Sequence, residues 1–266
     1  MVNAPNGKAR PEQLWNQRDV VATYTSRRYV TPAEVRVIAE CWSNIKDARV
    51  LDVGIGTGRT IPYLAPFARR YVGVDFVPNM VAAAQRLHPG RDLRQADARE
   101  LPFGDGEFDF VLFSFNGIDY AGPDARPRMH AEIRRVLAPG GLFAYSTHNL
   151  DSRDTPKTTR FVPEIPKLSA SPIRSAVRVA RGVASAVRGY RNYRRFEPLQ
   201  QVGDGISFIM DGAHDYGHMS CYVTQEYERR ALATAGYDVR AVLDPDGNLA
   251  AARSRARDLY FIAARR

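Results

Sequence analysis

Three glycines at alternate positions, Gly54, Gly56 and Gly58, follow the apolar run Val50-Leu51-Asp52-Val53. Residues without a Cβ let a backbone turn sharply and come close to a ligand. A glycine loop after a buried strand and before a helix also offers free N–H groups and a positive dipole end to a carboxylate. The spacing discriminates between ligands. A dinucleotide loop needs Gly-x-Gly-x-x-Gly, whereas here the sixth position is Arg59 and the third glycine arrives one residue early. Close pyrophosphate approach is disfavoured, and a nucleoside ligand without pyrophosphate suits the loop better.

Two acids extend the pattern. Asp75 stands 17 residues past Gly58, directly after the apolar stretch Tyr71–Val74. A carboxylate at that strand end accepts hydrogen bonds from ribose hydroxyls. Asp97 ends a weaker stretch, Asp92–Gln95, where its side chain could accept from an adenine amino group while the Ala98 N–H donates to a ring nitrogen. Phe76 and Met80 are placed to pack on the adenine faces, or to serve as ordinary core.

The elements that hold these residues alternate. Buried strands are expected at Val50–Val53, Tyr71–Val74, Asp92–Gln95, Phe108–Phe113 and Leu142–Ser146. Helices are expected at 59–68, Pro78–Leu87 and Arg126–Leu137. Thr224 caps a further helix closed by Gly236, and Val239–Leu243 and Leu259–Ala263 supply two last strands. Strands separated by helices of this length imply parallel β-α-β units in a doubly wound α/β sheet. Two helices precede the sheet, the first over Glu12–Tyr24, the second opened by Thr31-Pro32. The division expected is N-terminal helices over 1–43, then a nucleotide-binding core over 44–266 with a cap insertion at 151–220, too long for an ordinary loop. Residues 1–10 read as disordered.

In order and spacing, Val50–Gly58, Asp75, Asp97-Ala98, Leu101-Pro102-Phe103, Phe108–Val111 and Arg135–Gly141 resemble class I, Rossmann-like S-adenosylmethionine-dependent methyltransferases. The resemblance covers about residues 45–150 and the last three elements. It implies a seven-stranded, mostly parallel sheet whose last strand is antiparallel, with S-adenosyl-L-methionine as donor and S-adenosyl-L-homocysteine as product. It also implies that Asp52 and the glycine loop hold the donor, that Ser114 and Phe115 lie beside its methionine part, and that Tyr24 closes over it.

Methyl transfer is an in-line displacement, so an acceptor atom must be aligned on the methyl. A hydroxyl acceptor also needs a base, and histidine suits that task near neutral pH. Ligands of a parallel sheet lie at the carboxyl ends of its strands. Asn116 and Asp119 follow the fourth strand, and His148 and Asn149 the fifth. His214 and His218 flank Asp215 at the end of the insertion. His148, His214 and His218 are therefore candidate bases, and Asn116, Asp119 and Asn149 candidate acceptor contacts. No metal-ligand spacing is present.

The chain has 266 residues, 44 % apolar and 25 % charged, and a net charge of +9. Residues 151–200 alone carry +7, so the basicity belongs to the insertion. There, Ile173, Ala176, Val177, Ala180, Val183, Ala184 and Val187 recur at helical steps with arginines on the other side. Within 168–195 three readings stay open. One is a cap helix packed over the site by its apolar stripe. Another is a clamp for an anionic substrate. The third is a membrane-surface or nucleic-acid contact. Nucleic acid is disfavoured by the near-neutral core, and membrane anchoring by the lack of Trp, Phe and Leu in the stripe. No apolar run is long enough to span a bilayer, and the start, Met-Val-Asn-Ala-Pro-Asn-Gly-Lys, lacks an apolar signal core. Cys41 and Cys221 form no metal or redox spacing, and a cytoplasmic protein is expected. The function expected is methyl transfer to a small molecule, at a hydroxyl of a natural product or sugar. The rivals are an RNA-modifying enzyme and a non-catalytic donor-binding module.

Overall fold

A computed structural model describes Trp15 and residues 18–26, 29–155, 160–163, 171–210 and 213–266. The disorder expected for 1–10, and the start of the helix expected from Glu12, lie outside the described residues.

Helix α1 (Arg18–Ser26), α2 (Pro32–Glu40) and α3 (Trp42–Ile45) lead into strand β1 (Arg49–Val53). Thr31 opens α2 with a capping box: its side chain accepts from the Glu34 N–H, and the Glu34 carboxylate accepts from the Thr31 N–H. After β1 come α4 (Ile61–Leu64), β2 (Arg70–Asp75), α5 (Pro78–Leu87), β3 (Asp92–Gln95), β4 (Phe108–Phe113), α6 (Arg126–Val136) and β5 (Leu137–Asn149). The insertion contributes α7 (Pro172–Phe196), β6 (Gln201–Val202), β7 (Ile206–Met210) and β8 (Met219–Val223). Helix α8 (Gln225–Thr234), β9 (Tyr237–Leu243) and β10 (Asp258–Arg265) close the chain.

Strands β3, β2, β1, β4 and β5 are parallel neighbours in that order. β10 runs antiparallel to both β5 and β9. These seven strands form the doubly wound sheet with an antiparallel last strand that the sequence implies. Both faces are covered, so the strands read as nearly continuous apolar runs. Leu51, Val53, Val72, Val74, Val111 and Phe113 join one core cluster. Val50, Tyr71, Phe110 and Leu112 alternate into the other, against Ala33, Val37, Ile61 and Leu64.

Three features differ from expectation. The helix expected over 59–68 is a single turn at Ile61–Leu64, because Pro66 stops it one turn after Pro62 starts it. The insertion is not only a cap: β8 pairs in parallel with the end of β5, and β7 and β6 follow antiparallel, so the sheet reaches ten strands. Helix α7 also turns its apolar stripe outward instead of packing it down. Ile173, Val183 and Val187 are exposed. Gly189 and Phe196 are the buried positions, on the opposite side.

Candidate active site

The carboxyl ends of β1, β2 and β4 surround a cavity of about 290 Å³. Gly54, Gly56 and Gly58 all take positive φ, 66°, 55° and 90°, a region that favours glycine. They serve different ends. A Cβ on Gly54 would lie 2.7 Å from the Phe113 ring, and one on Gly58 equally close to His88 and Ile61. A Cβ on Gly56 would meet nothing within 4 Å. Gly54 and Gly56 line the cavity; Gly58 does not, and acts by packing.

Asp52 also lies behind the loop rather than in the cavity. Its buried carboxylate accepts from Thr60 Oγ1 at 2.5 Å and Tyr71 OH at 2.9 Å. Burial pushes its pKa up to about 6 despite these donors. The donor contact expected of Asp52 is thus replaced by an anchoring role: it ties the loop to β2.

Asp75, at the end of β2, lines the cavity. Its Oδ2 accepts from the Gly56 N–H and its Oδ1 from the Val77 N–H, both at 2.8 Å. Burial raises its pKa against those two donors. Each oxygen keeps a lone pair for a further donor. Phe76 and Met80 line the same end, beside Ala96, Asp97 and Ala98. Burial disfavours the Asp97 carboxylate, but the Arg99 side chain, 2.5 Å away, and the Arg99 N–H outweigh it and hold its pKa below the usual range.

The other end is aromatic. Trp15, Tyr24, Phe115 and Tyr120 line it together with Phe113 and Ser114. Trp15 lies 5.7 Å from Tyr24 and 4.7 Å from Tyr120, centroid to centroid, and Tyr24 lies 6.2 Å from Phe115. Tyr24 and Ser114, both named by the resemblance, line the cavity. Phe115, which the resemblance names beside Ser114, lines it too; sequence reasoning missed Trp15, Tyr120 and Arg59. The Arg59 guanidinium sits 4.9 Å over the Phe115 ring and is held by both oxygens of Glu34.

The candidate acceptor contacts are drawn elsewhere. Asn116 does not line the cavity; its side chain donates to Asp258 Oδ1 at 2.9 Å. Asn149 donates to the carbonyls of Ser254 and Ala256. Asp119 is fully buried. It accepts from Arg126 and Thr147 at 2.7 Å and from the His148 N–H at 2.8 Å. Arg126 in turn meets Glu228, which also takes the Tyr145 hydroxyl. Burial opposes the Glu228 charge, but Arg126 and His130 reverse that and drive its pKa far down. Asp119, Arg126 and Glu228 are buried and partnered, so they hold the loop after β4 against β5, β8 and α8.

Of the histidines, His148 has its Nδ1 2.8 Å from Asp119 Oδ2. Its ring lies 6.4 Å from that of Tyr120 and 5.0 Å from that of Tyr222. His218 is buried against Trp15 and Tyr120, 5.6 and 5.7 Å away. Neither imidazole lines the cavity, but both back Tyr120, which does. The side chain of His214 lies outside the described residues. None of the α7 arginines lines the cavity.

S-adenosylmethionine fits this site. The glycine backbone is bare toward the cavity at Gly56, where a side chain would fill it. Asp75 keeps its oxygens at the rim and two apolar side chains, Phe76 and Met80, flank the place for a base.

Residues 50–141 match the methyltransferase-domain family. Over 184 residues the chain is 33% identical to a fatty-acid O-methyltransferase of Mycolicibacterium smegmatis, covering 66% of this chain and 61% of the relative. It is 42% identical over 100 residues to a demethylmenaquinone methyltransferase of Thermus thermophilus, covering 35% of this chain and 44% of the relative. The chain spans about half the length of the curated relatives it matches. A 1,6-didemethyltoxoflavin-N1-methyltransferase of Burkholderia thailandensis, solved with that compound and S-adenosylhomocysteine, shares the fold. Its TM-score is 0.58 at 17% identity, over 99% of this chain and 93% of the other.

Proposed function

We propose that this chain, which carries a class I S-adenosylmethionine-dependent methyltransferase domain, methylates a hydroxyl of a small molecule with an apolar body. The observation that carries the reading is the continuity of one cavity from Gly54, Asp75 and Asp97 to Trp15, Tyr24, Phe115 and Tyr120. A polar nucleoside end and an aromatic end in one space suit a donor and an apolar acceptor side by side. The fatty-acid and menaquinone relatives carry names of the same acceptor class. An apolar natural product fits the aromatic wall better than a sugar does.

When bound, S-adenosylmethionine supplies an electrophilic methyl on a sulfonium sulfur. The residues of this chain do the rest. Asp75 takes the ribose hydroxyls, Phe76 and Met80 hold the base, and the Asp97 carboxylate and Ala98 N–H read its polar edge. The Gly54–Gly56 backbone takes the amino-acid end. Trp15, Tyr24, Phe115 and Tyr120 exclude water and align the acceptor oxygen, which is the main source of rate in such a displacement. His148, which lies beside Asp119 and behind Tyr120, takes the hydroxyl proton through Tyr120.

The test is incubation with S-adenosylmethionine and pools of apolar hydroxylated metabolites, read by mass spectrometry. The expected result is a product heavier by one methyl, formed in step with S-adenosylhomocysteine. Methylation of RNA, or donor binding with no product from any pool, would sink the reading.

A further inference from the structure

Helix α7 is 25 residues long and holds seven arginines and no acid between Pro172 and Phe196. At 1.5 Å per residue it runs for about 37 Å. Its attachment to the body uses one side. Ser185 and Arg188 bond to the Asp215 carboxylate, and the Asn192 side chain donates to the Asp215 carbonyl. Gly189 lets the helix lie against the Phe161 and Tyr216 rings, where a Cβ would come within 3.2 Å of Phe161. Phe196 packs with Met210 and Met219.

The opposite side is apolar and bare. Ile173 is 78% exposed, Val183 59%, Val187 52% and Val177 46%. On a helix advancing about 100° per residue, this stripe centres on the side away from Gly189. Arg174 and Arg181 run along one edge of it, and Arg191 continues its line past Val187. Leaving apolar surface in water is unfavourable, so the stripe calls for something that covers it.

We propose that α7 is an interfacial helix that docks the enzyme on an anionic phospholipid surface. The arginines meet lipid phosphates while the Ile-Val stripe enters the headgroup–acyl boundary. The charge disfavours the simplest alternative: a second copy would bring one cationic helix, with no acid of its own, against another. Nucleic acid would pair with the arginines but has no use for a row of exposed valines. No described helix is long and apolar enough to cross a membrane, so the contact is peripheral. Val, Ile and Ala bury little area each, which makes the docking reversible and dependent on charge and apolar contact together.

The test is co-sedimentation of the full chain with vesicles of phosphatidylcholine, with and without phosphatidylglycerol. It reads adsorption and not turnover, so it stands apart from the methyl-transfer reading. Binding is expected only with phosphatidylglycerol, weakening roughly tenfold or more in high salt, which screens exposed charges. The Val183→Asp/Val187→Asp variant is expected to lose at least roughly tenfold in binding, since charge at the boundary opposes insertion. Ile173→Asp, in the first turn of the helix, carries the same expectation should the double variant lose helix by circular dichroism. No binding to anionic vesicles, equal binding to phosphatidylcholine alone, undiminished binding by a folded variant, or release by stoichiometric RNA overturns the proposal.

Discussion

The Arg59 guanidinium and the Glu34 carboxylate form a two-pronged ion pair, 2.6 and 2.5 Å long, with side chains only 11% and 2% exposed. It joins the N-terminal helix α2 to the residue directly after the glycine loop. Arg59 also donates to Ser114 Oγ and to the Tyr29 carbonyl. One side chain therefore fixes the loop, the N-terminal segment and the turn after β4 in relation to the cavity.

Removing Arg59 while leaving Glu34 buried strands a carboxylate. Arg59→Met is expected to cost about 3–5 kcal/mol of folding stability, the usual range for a broken buried pair. Glu34→Leu with Arg59→Met removes both charges, and is expected to recover part of the loss. Urea unfolding of the wild type, the single and the double variant checks this. A double variant less stable than the single would show that the pair is not the main stabilising contact of Arg59.

Asp75 makes two backbone hydrogen bonds and faces the cavity. Hydrogen bonds to a charged acceptor contribute about 1.5–3 kcal/mol each, so Asp75→Ala is expected to weaken S-adenosylmethionine at least roughly tenfold. Asp75→Asn keeps one acceptor oxygen and should fall between. Calorimetry with S-adenosylmethionine, S-adenosylhomocysteine and NAD reads both affinity and choice of ligand. Full affinity in Asp75→Ala would remove the ribose assignment.

Asp52 carries a raised pKa, from 3.8 to about 6, because burial opposes its charge. The unfolded chain releases this proton near pH 3.8 and the folded chain near 6, so between those values the folded state binds more protons. Stability from this group is then full below the unfolded value and lost as pH rises through the folded one. The loss amounts to about 3 kcal/mol. In Asp52→Asn nothing titrates, so the stability difference between variant and wild type should move by about that amount, in favour of the variant, from acid to neutral pH. Denaturant unfolding across this range checks it, and a constant difference would refute it.

The donor half of the site was legible because it rests on local backbone demands. Gly54-x-Gly56-x-Gly58 and Asp75 lie within two adjacent strand-loop units, and each needs a particular residue type. The acceptor half was not. Asn116, Asp119, His148 and Asn149 stand at the right strand ends, yet Arg126, Asp258 and the Ser254 and Ala256 carbonyls take their polar atoms inward. Those partners are between 7 and 142 residues away, a distance no local pattern reports. The wall comes instead from Trp15 and Tyr120, which read as ordinary apolar positions, together with Phe115, which the resemblance names. The hairpin of β6 and β7 had a signal, Gly203-Asp204-Gly205 just before the apolar run Ile206–Met210, masked by the basic stretch before it. The stripe of α7 was read correctly as amphipathic, but periodicity does not say which face meets the body. Gly182, Ser185 and Gly189 on one side, small enough for close approach, were the local clue.

His148 is the remaining question of mechanism, and its surroundings give an answer that kinetics can read. Its backbone N–H donates to Asp119 Oδ2, its Nδ1 lies 2.8 Å from the same oxygen, and its ring packs 6.4 Å from that of Tyr120 on the cavity wall. A positioned base contributes about 10²–10⁴-fold to proton removal. His148→Gln is therefore expected to lower kcat at least about a hundredfold on a hydroxyl acceptor while leaving donor affinity intact. A base acts only when unprotonated, so wild-type kcat should fall on acidification and the residual rate of the variant should not. A structural role alone would lower stability and leave the shape of the pH profile unchanged. An unchanged kcat with the acid limb intact would remove His148 from the chemistry. Transfer would then rest on alignment by Tyr24, Phe115 and Tyr120, and Tyr120→Ala would show its main effect in the KM for acceptor.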